Sequence, residues 1–406
     1  MMFGLDAFRD ALREDKRVWP LLAMVCCTMF GAGLLVPVVS RYAVSFGVSA
    51  TLVGMLVTIF GIGRIVANFP SGWLSQRIGR RPLLAAGPGL LAVGAVGAAL
   101  TTDFNWLLFW RFVQGLGSGM YGTVSLAALA DISSPQTRGR LVGVYHAAIQ
   151  FGASIGPLIG GSVASAFGLA APFWFLLAIS LVTCVLAITT FKDANVQPSR
   201  SMSGALGVAR RGLLSVPFMA ISLVSSIVFF TRTACMFQLL PLIGSETFGL
   251  GVAAIGVAIT VIAFAMLIVL PSAGVIVDRF GSRIAVILSM TGMIAGLALV
   301  LISSNQIFFW LSMLVYGLAG GINSAATGTY TIEVLPRHKY GEGMGLQRTI
   351  SDLGYILGPV FAGAVADFSG YGNAGGIVAT LSLTALATLI FLFASRKAST
   401  GQKGSG

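Results

Sequence analysis

Residues 152–161 read GASIGPLIGG and residues 354–363, 202 positions later, read GYILGPVFAG. Each stretch sets small residues four apart, Gly152, Gly156 and Gly160 in the first and Gly354, Gly358 and Ala362 in the second, with Pro157 or Pro359 between them. In water each helical glycine costs about 1 kcal/mol and an interior proline about 3 kcal/mol. In lipid, small residues at that spacing let a second helix approach closely, and neighbours or water satisfy the carbonyl that a proline leaves free. The two stretches therefore predict close-packed membrane helices, with Pro157 and Pro359 as bends or hinges.

The surrounding composition agrees. The 406-residue chain is 56% hydrophobic and only 9% charged, with mean hydropathy +0.91, where a soluble domain carries about 25% charged residues. A helix needs about 20 mostly apolar residues to cross a bilayer. Twelve such segments can be marked, at 18–40, 50–72, 82–101, 106–130, 141–166 and 172–191 in the first half and 217–243, 253–276, 284–303, 306–332, 343–366 and 374–395 in the second. The fold class expected is all-α and integral to the membrane.

A net charge of +12 would suit a nucleic-acid binder, but 20 of the 25 Lys and Arg sit at the two ends and in alternate loops. Basic loops stay on the cytoplasmic side, so both termini are expected in the cytoplasm and no nucleic-acid partner is expected. Residues 1–17 mix acids and bases ahead of the first span and read as an amphipathic interfacial helix rather than a cleaved leader. Cys26, Cys27, Cys184 and Cys235 all fall in predicted spans, without metal-binding spacing, so neither a disulfide framework nor a metal or cofactor is expected.

Shifting the chain by 202 residues superposes its halves: Gly54 on Gly256, Gly72 on Gly274, Arg77 on Arg279, Gly79 on Gly281 and Gly115 on Gly317. The expected organisation is a tail (1–17), a six-helix bundle (18–191), a polar basic linker (192–215), a second six-helix bundle (216–395) and a tail (396–406). Two parallel repeats of this kind place a binding site near the bilayer midplane between the halves.

Three motifs make the reading specific: GWLSQRIGRR (72–81) after the second span, RFVQGLGSG (111–119) in the fourth and GASIGPLIGG in the fifth. They resemble the signature motifs of the major facilitator superfamily, most closely its twelve-helix drug:proton antiporter branch. The resemblance implies that the motif loops gate the cytoplasmic side and that the fifth and eleventh helices lie where the halves meet. Where the family's first motif carries an acid, this chain has Gln76, while the second copy keeps Asp278. Gating and hinge residues are therefore expected at Gly72, Arg77, Asp278, Arg279, Gly152, Gly156, Pro157, Gly160, Gly358 and Pro359.

Charges inside a membrane are costly and mark function by default. Five are embedded: Arg64, Arg111, Arg232, Arg348 and Asp352. Asp352 follows Arg348 by four residues and shares its helix face, as either a proton carrier or a fixed ion pair. Arg111 matches the arginine of the family's second motif, which implies proton transfer or substrate contact; the alternative is an arginine reaching to the interface. Arg111, Gln114, Arg232, Gln238, Arg64 and Asn323 are candidate cavity residues, each weighed against interhelical bonding. His146 can titrate near neutrality and is a candidate for coupling, or a structural residue at a span's start. Asn68, Tyr121, Tyr316 and Tyr330 are further cavity candidates or packing residues.

The embedded charges, four arginines against one aspartate, suit neutral or anionic solutes better than cations. The leading reading is a monomeric, proton-coupled secondary transporter in the inner or plasma membrane, exporting drugs or metabolites. Uptake of a small organic anion is the runner-up, and a non-transporting polytopic sensor or scaffold the alternative of another class. An enzyme is not expected: His146 and His338 are the only histidines, and there is no nucleophile elbow and no ATP-binding loop.

Overall fold

The computed structural model describes residues 17–133, 138–191, 215–302, 305–335, 340–370 and 372–401. Residues 1–16 of the amphipathic N-terminus expected at 1–17, nearly all of the linker (192–214), His338 and the end of the tail (402–406) lie outside the described residues. The described residues contain only helices and their connections: α1 (Val18–Leu35), α2 (Val39–Val44), α3 (Ala50–Ile78), α4 (Arg81–Leu100), α5 (Phe104–Ile132), α6 (Arg138–Phe167), α7 (Ala171–Thr190), α8 (Val216–Ala234), α9 (Leu240–Glu246), α10 (Val252–Phe280), α11 (Ser282–Ile302), α12 (Gln306–Val334), α13 (Tyr340–Phe368) and α14 (Gly372–Gly401).

Among the described residues eleven helices are long and apolar enough to cross a membrane. The expected twelfth is α5, which has 29 residues; Arg111, Gln114, Asp131 and its glycines lower its hydropathy. Large apolar side chains such as Ile268, Val275 and Phe393, each more than 60% exposed, face outward as a lipid-facing surface does; on a soluble monomer such patches stay small.

Two predicted spans are interrupted. The first ends at Leu35 ahead of Pro37, and the short α2 follows. The seventh passes from α8 into a π-turn, Cys235–Leu239, before α9. Pro241 cannot donate to the carbonyl four residues back and its ring crowds that carbonyl; one wide turn absorbs the mismatch. By contrast, α6 and α13 run unbroken through Pro157 and Pro359.

The chain divides into two compact units: residues up to Gly47 with those from Ile59 to the linker, and Val48–Thr58 with the residues after the linker. The first turns of α3 thus belong with the second unit. Within the first unit α1 packs on α6 and α7, and α4 on α5 and α7. Within the second, α8 packs on α13 and α14, and α11 on α12 and α14, the same pairs displaced by the repeat.

Backbone details repeat at the same offset. Positive φ angles occur at Gly47 and Gly249, Gly79 and Gly281, and Gly168 and Gly370. Gly79 (φ 92°) and Gly281 (φ 81°) turn the chain sharply after α3 and α10, a conformation that side chains with a Cβ resist. Asp103 caps α5 by accepting from the amides of Asn105 (2.8 Å) and Trp106 (3.3 Å). Asn305, its counterpart, caps α12 by accepting from Ile307 (3.0 Å) and Phe308 (3.3 Å).

The small-residue stripes serve packing inside their own units. A Cβ at Gly152, Gly156 or Gly160 would run into the backbone of α1 at Cys26, Phe30, Gly33 or Leu34, and one at Gly354 or Gly358 into α8 at Ser226 or Phe230. The resemblance placed the fifth and eleventh helices where the halves meet; the partners of these glycines are the first helix of each unit.

Candidate functional site

In the second unit, α8, α12 and α13 bring four polar side chains together. Arg348 lies with its guanidinium over the ring of Phe229, 5.4 Å from the centroid, and Arg232 follows Phe229 by one turn on the same face of α8. Tyr316 of α12 and Tyr355 of α13, together with Arg348, are within electrostatic reach of Arg232. Tyr316 is 4% exposed and its buried hydroxyl has no hydrogen-bond partner. Arg232 is partly exposed, and among the described residues no carboxylate pairs with it.

Asp352 sits one turn beyond Arg348, with Oδ1 3.5 Å from Arg348 Nε. The expected i,i+4 pair therefore forms. At that distance it is a loose contact rather than a short charge-assisted hydrogen bond, and the Arg348 side chain is 58% exposed against 16% for Asp352.

In the first unit Arg111 is buried, with Nη1 donating to Gln114 Oε1 at 2.7 Å and its guanidinium 4.7 Å from the centroid of Phe60. The amide nitrogen of Gln114 is buried without a partner. Close approach of α3 and α5 creates this enclosure: a Cβ on Gly115 would strike the Phe60 carbonyl, and one on Gly119 the Arg64 carbonyl. Arg64 is partly buried on α3, and Asn68, one turn on, hydrogen-bonds Thr123 at 3.1 Å.

The remaining candidates are dispersed. Gln238, in the π-turn, donates to the Ala50 carbonyl at 2.7 Å. Asn323 donates to Ser289 Oγ at 2.9 Å and links α12 to α11. His146 is exposed, edge-on to Tyr145 at 5.8 Å. Tyr330 packs edge-on against Phe391 at 5.0 Å, and Tyr121 is buried with its hydroxyl unpartnered.

At the motif loops, Arg77 is exposed and lies over Trp73, 3.9 Å from the ring centroid. Asp278 and Arg279 are exposed, with Arg279 5.6 Å from the Phe280 centroid, and Gly72 is in ordinary contact with Thr123 at 3.6 Å. The ion pair at this corner belongs to Arg80, whose Nε donates to Asp131 Oδ2 at 2.8 Å while its guanidinium also reaches Ser75. At the repeat-related positions Ser282 donates to Glu333. Arg80 was missed in the sequence because it directly follows the glycine turn; its signal is the acid that recurs at 131 and 333.

Sequence reasoning also missed Asp367. Its carboxylate accepts from the amides of Ala50 (2.9 Å) and Thr51 (2.8 Å) and from the Thr51 hydroxyl (2.5 Å), capping α3 from the end of α13. Among the described residues no cluster of three or more His, Cys, Asp or Glu is placed to hold a metal.

A family model described as Major Facilitator Superfamily matches residues 21–269 and 221–406. An MFS-type transporter of Methanocaldococcus jannaschii is 24% identical over 88% of this chain and 93% of its own length. Multidrug resistance protein 2 of Bacillus subtilis is 23% identical over 89% and 92%. Among solved structures, a bacterial homolog of the human lysosomal transporter Spinster, inward-facing and unoccupied, aligns with TM-score 0.77 at 15% identity, covering 93% of this chain and 96% of that one. The nucleoside transporter NupG aligns with TM-score 0.77 at 15% identity, covering 94% and 99%. At such identities the structural likeness speaks to the fold.

Proposed function

The chain belongs to the major facilitator superfamily, and from that premise we propose that this multi-pass membrane transporter is a proton-coupled secondary carrier. In this reading two parallel six-helix bundles, with α5 as the twelfth span, alternate access to a small organic solute, neutral or anionic rather than cationic. Both termini are cytoplasmic, the membrane is the inner or plasma membrane, and the working unit is a monomer.

The observation that carries the proposal is Asp352. It is an acid within the expected eleventh span, and its loose pair with Arg348 at 3.5 Å supports a role in exchanging a proton against an arginine. Export of drugs or metabolites is the leading direction, in keeping with the likeness to the B. subtilis multidrug resistance protein over most of both chains. Uptake of a small organic anion is the second reading, favoured by Arg232, which no carboxylate among the described residues neutralises. Solute flux in proteoliposomes, under a pH gradient of each sign, tests the proposal and separates the directions; no flux under either gradient would favour a sensor or scaffold.

A further inference from the structure

We infer that Arg232 and Arg348 form the head-group subsite for a small organic monoanion, and that a proton on Asp352 releases Arg348 to it. The inference rests on the proton-coupled reading above and gives that site a substrate class.

Arg232 and Arg348 converge from two helices onto one apolar wall, since Phe229 lies under Arg348 and one turn before Arg232. Two like charges held together without enough counter-charge are unfavourable, and an anion between them removes the repulsion. Guanidinium forks match a carboxylate or sulfonate in two-point geometry. Tyr316 supplies a third donor, its buried hydroxyl unpartnered and within reach of Arg232. The Phe229 ring under Arg348 provides an apolar surface for the rest of the solute.

Asp352 faces Arg348 on its own helix. Arg348 in turn acts on Arg232 of α8, which Tyr316 of α12 and Tyr355 of α13 also face, and Tyr316 faces Cys235 of the π-turn. Between Gly372 and Ser395, α14 contributes no titratable side chain. With Asp352 ionised, the two arginines and one carboxylate leave a net single positive charge. When a proton adds to the Asp352 carboxylate, its pairing with Arg348 Nε is lost, the cluster carries two positive charges, and Arg348 can donate to the incoming anion. Proton and anion therefore bind together, and linkage requires the effect to be mutual. Such coupling carries both in one direction, as the second reading, uptake of a small organic anion, requires.

The test is equilibrium binding to the purified full-length chain, using arylcarboxylates and arylsulfonates, each paired with its neutral amide; benzenesulfonate against benzenesulfonamide is the reference pair because the sulfonate stays ionised throughout. Wild type should bind the anion and not the amide, more tightly at lower than at higher pH. Arg232→Gln should weaken anion binding about tenfold or more, and Arg232→Lys, which keeps the charge but loses the fork, should fall between. Asp352→Asn should bind the anion at every pH as wild type does in acid. Equal affinity in Arg232→Gln, absence of a pH effect in wild type, loss of binding in Asp352→Asn, or no anion in the set bound would each overturn the subsite. A neutral solute still driven by a pH gradient would then leave the proton-coupled reading standing.

Discussion

Asp367 caps a helix that begins more than three hundred residues before it: one carboxylate oxygen accepts both the amide (2.8 Å) and the hydroxyl (2.5 Å) of Thr51. The other oxygen takes the Ala50 amide at 2.9 Å. Free amides at a helix start need acceptors, and α3 obtains those for Ala50 and Thr51 from α13, while its own preceding Ser49 accepts from Leu52 at 3.5 Å and from Val53 at 3.0 Å. Around it, a Cβ on Gly54 would meet the Pro359 carbonyl, and Thr58 donates to the Ile356 carbonyl.

Asp367→Ala should therefore lower stability by about 1–2 kcal/mol, the usual loss on removing a helix cap. Asp367→Asn, which keeps one acceptor oxygen, should lose less. Thermal unfolding in detergent reads both, and an unchanged midpoint in the alanine variant would refute the cap's contribution.

Gly160→Ala should destabilise the first unit by about 1–3 kcal/mol, because overpacking there meets a backbone that cannot rotate away. The added methyl would overlap the Leu34 carbonyl. Gly143→Ala, on the same helix with nothing within 4 Å of the new atom, should leave stability unchanged or raise it by up to about 1 kcal/mol. Equal effects in the two variants would refute the α1–α6 contact.

Arg80→Ala should cost more stability than Arg77→Ala. Arg80 is largely buried against Asp131, whose side chain is 40% exposed, so the pair itself contributes about 1 kcal/mol or less; the bond to Ser75 adds to it. Arg77 stands exposed over Trp73, a contact of about 0.5–1 kcal/mol. Paired unfolding curves decide, and a larger loss in Arg77→Ala would reverse the assignment.

What the sequence disclosed and what it hid follow from distance along the chain. Features set within a turn or by the 202-residue repeat were legible: the matched glycines Gly79 and Gly281 and the Arg348–Asp352 spacing. The bond from Asp367 to Thr51 has no local signature, since either residue alone reads as an ordinary helix end. For Asn323 the sequence left cavity lining and interhelical bonding open, because a polar group inside a membrane suits either; its amide donates to Ser289 on α11. The glycine stripes predicted a close neighbour but could not say which helix it was. The convergence of Arg232, Arg348 and Tyr316 required three helices to be placed together before it could be recognised.

The central claim is that Asp352 carries the coupled proton. Solute flux in proteoliposomes under an imposed pH gradient, with wild type and Asp352→Asn side by side, tests it most directly. Wild type should accumulate solute against its gradient, while the variant should exchange solute across the membrane but fail to concentrate it. Normal proton-driven accumulation by Asp352→Asn would contradict the claim and make the Arg348–Asp352 pair a structural tie.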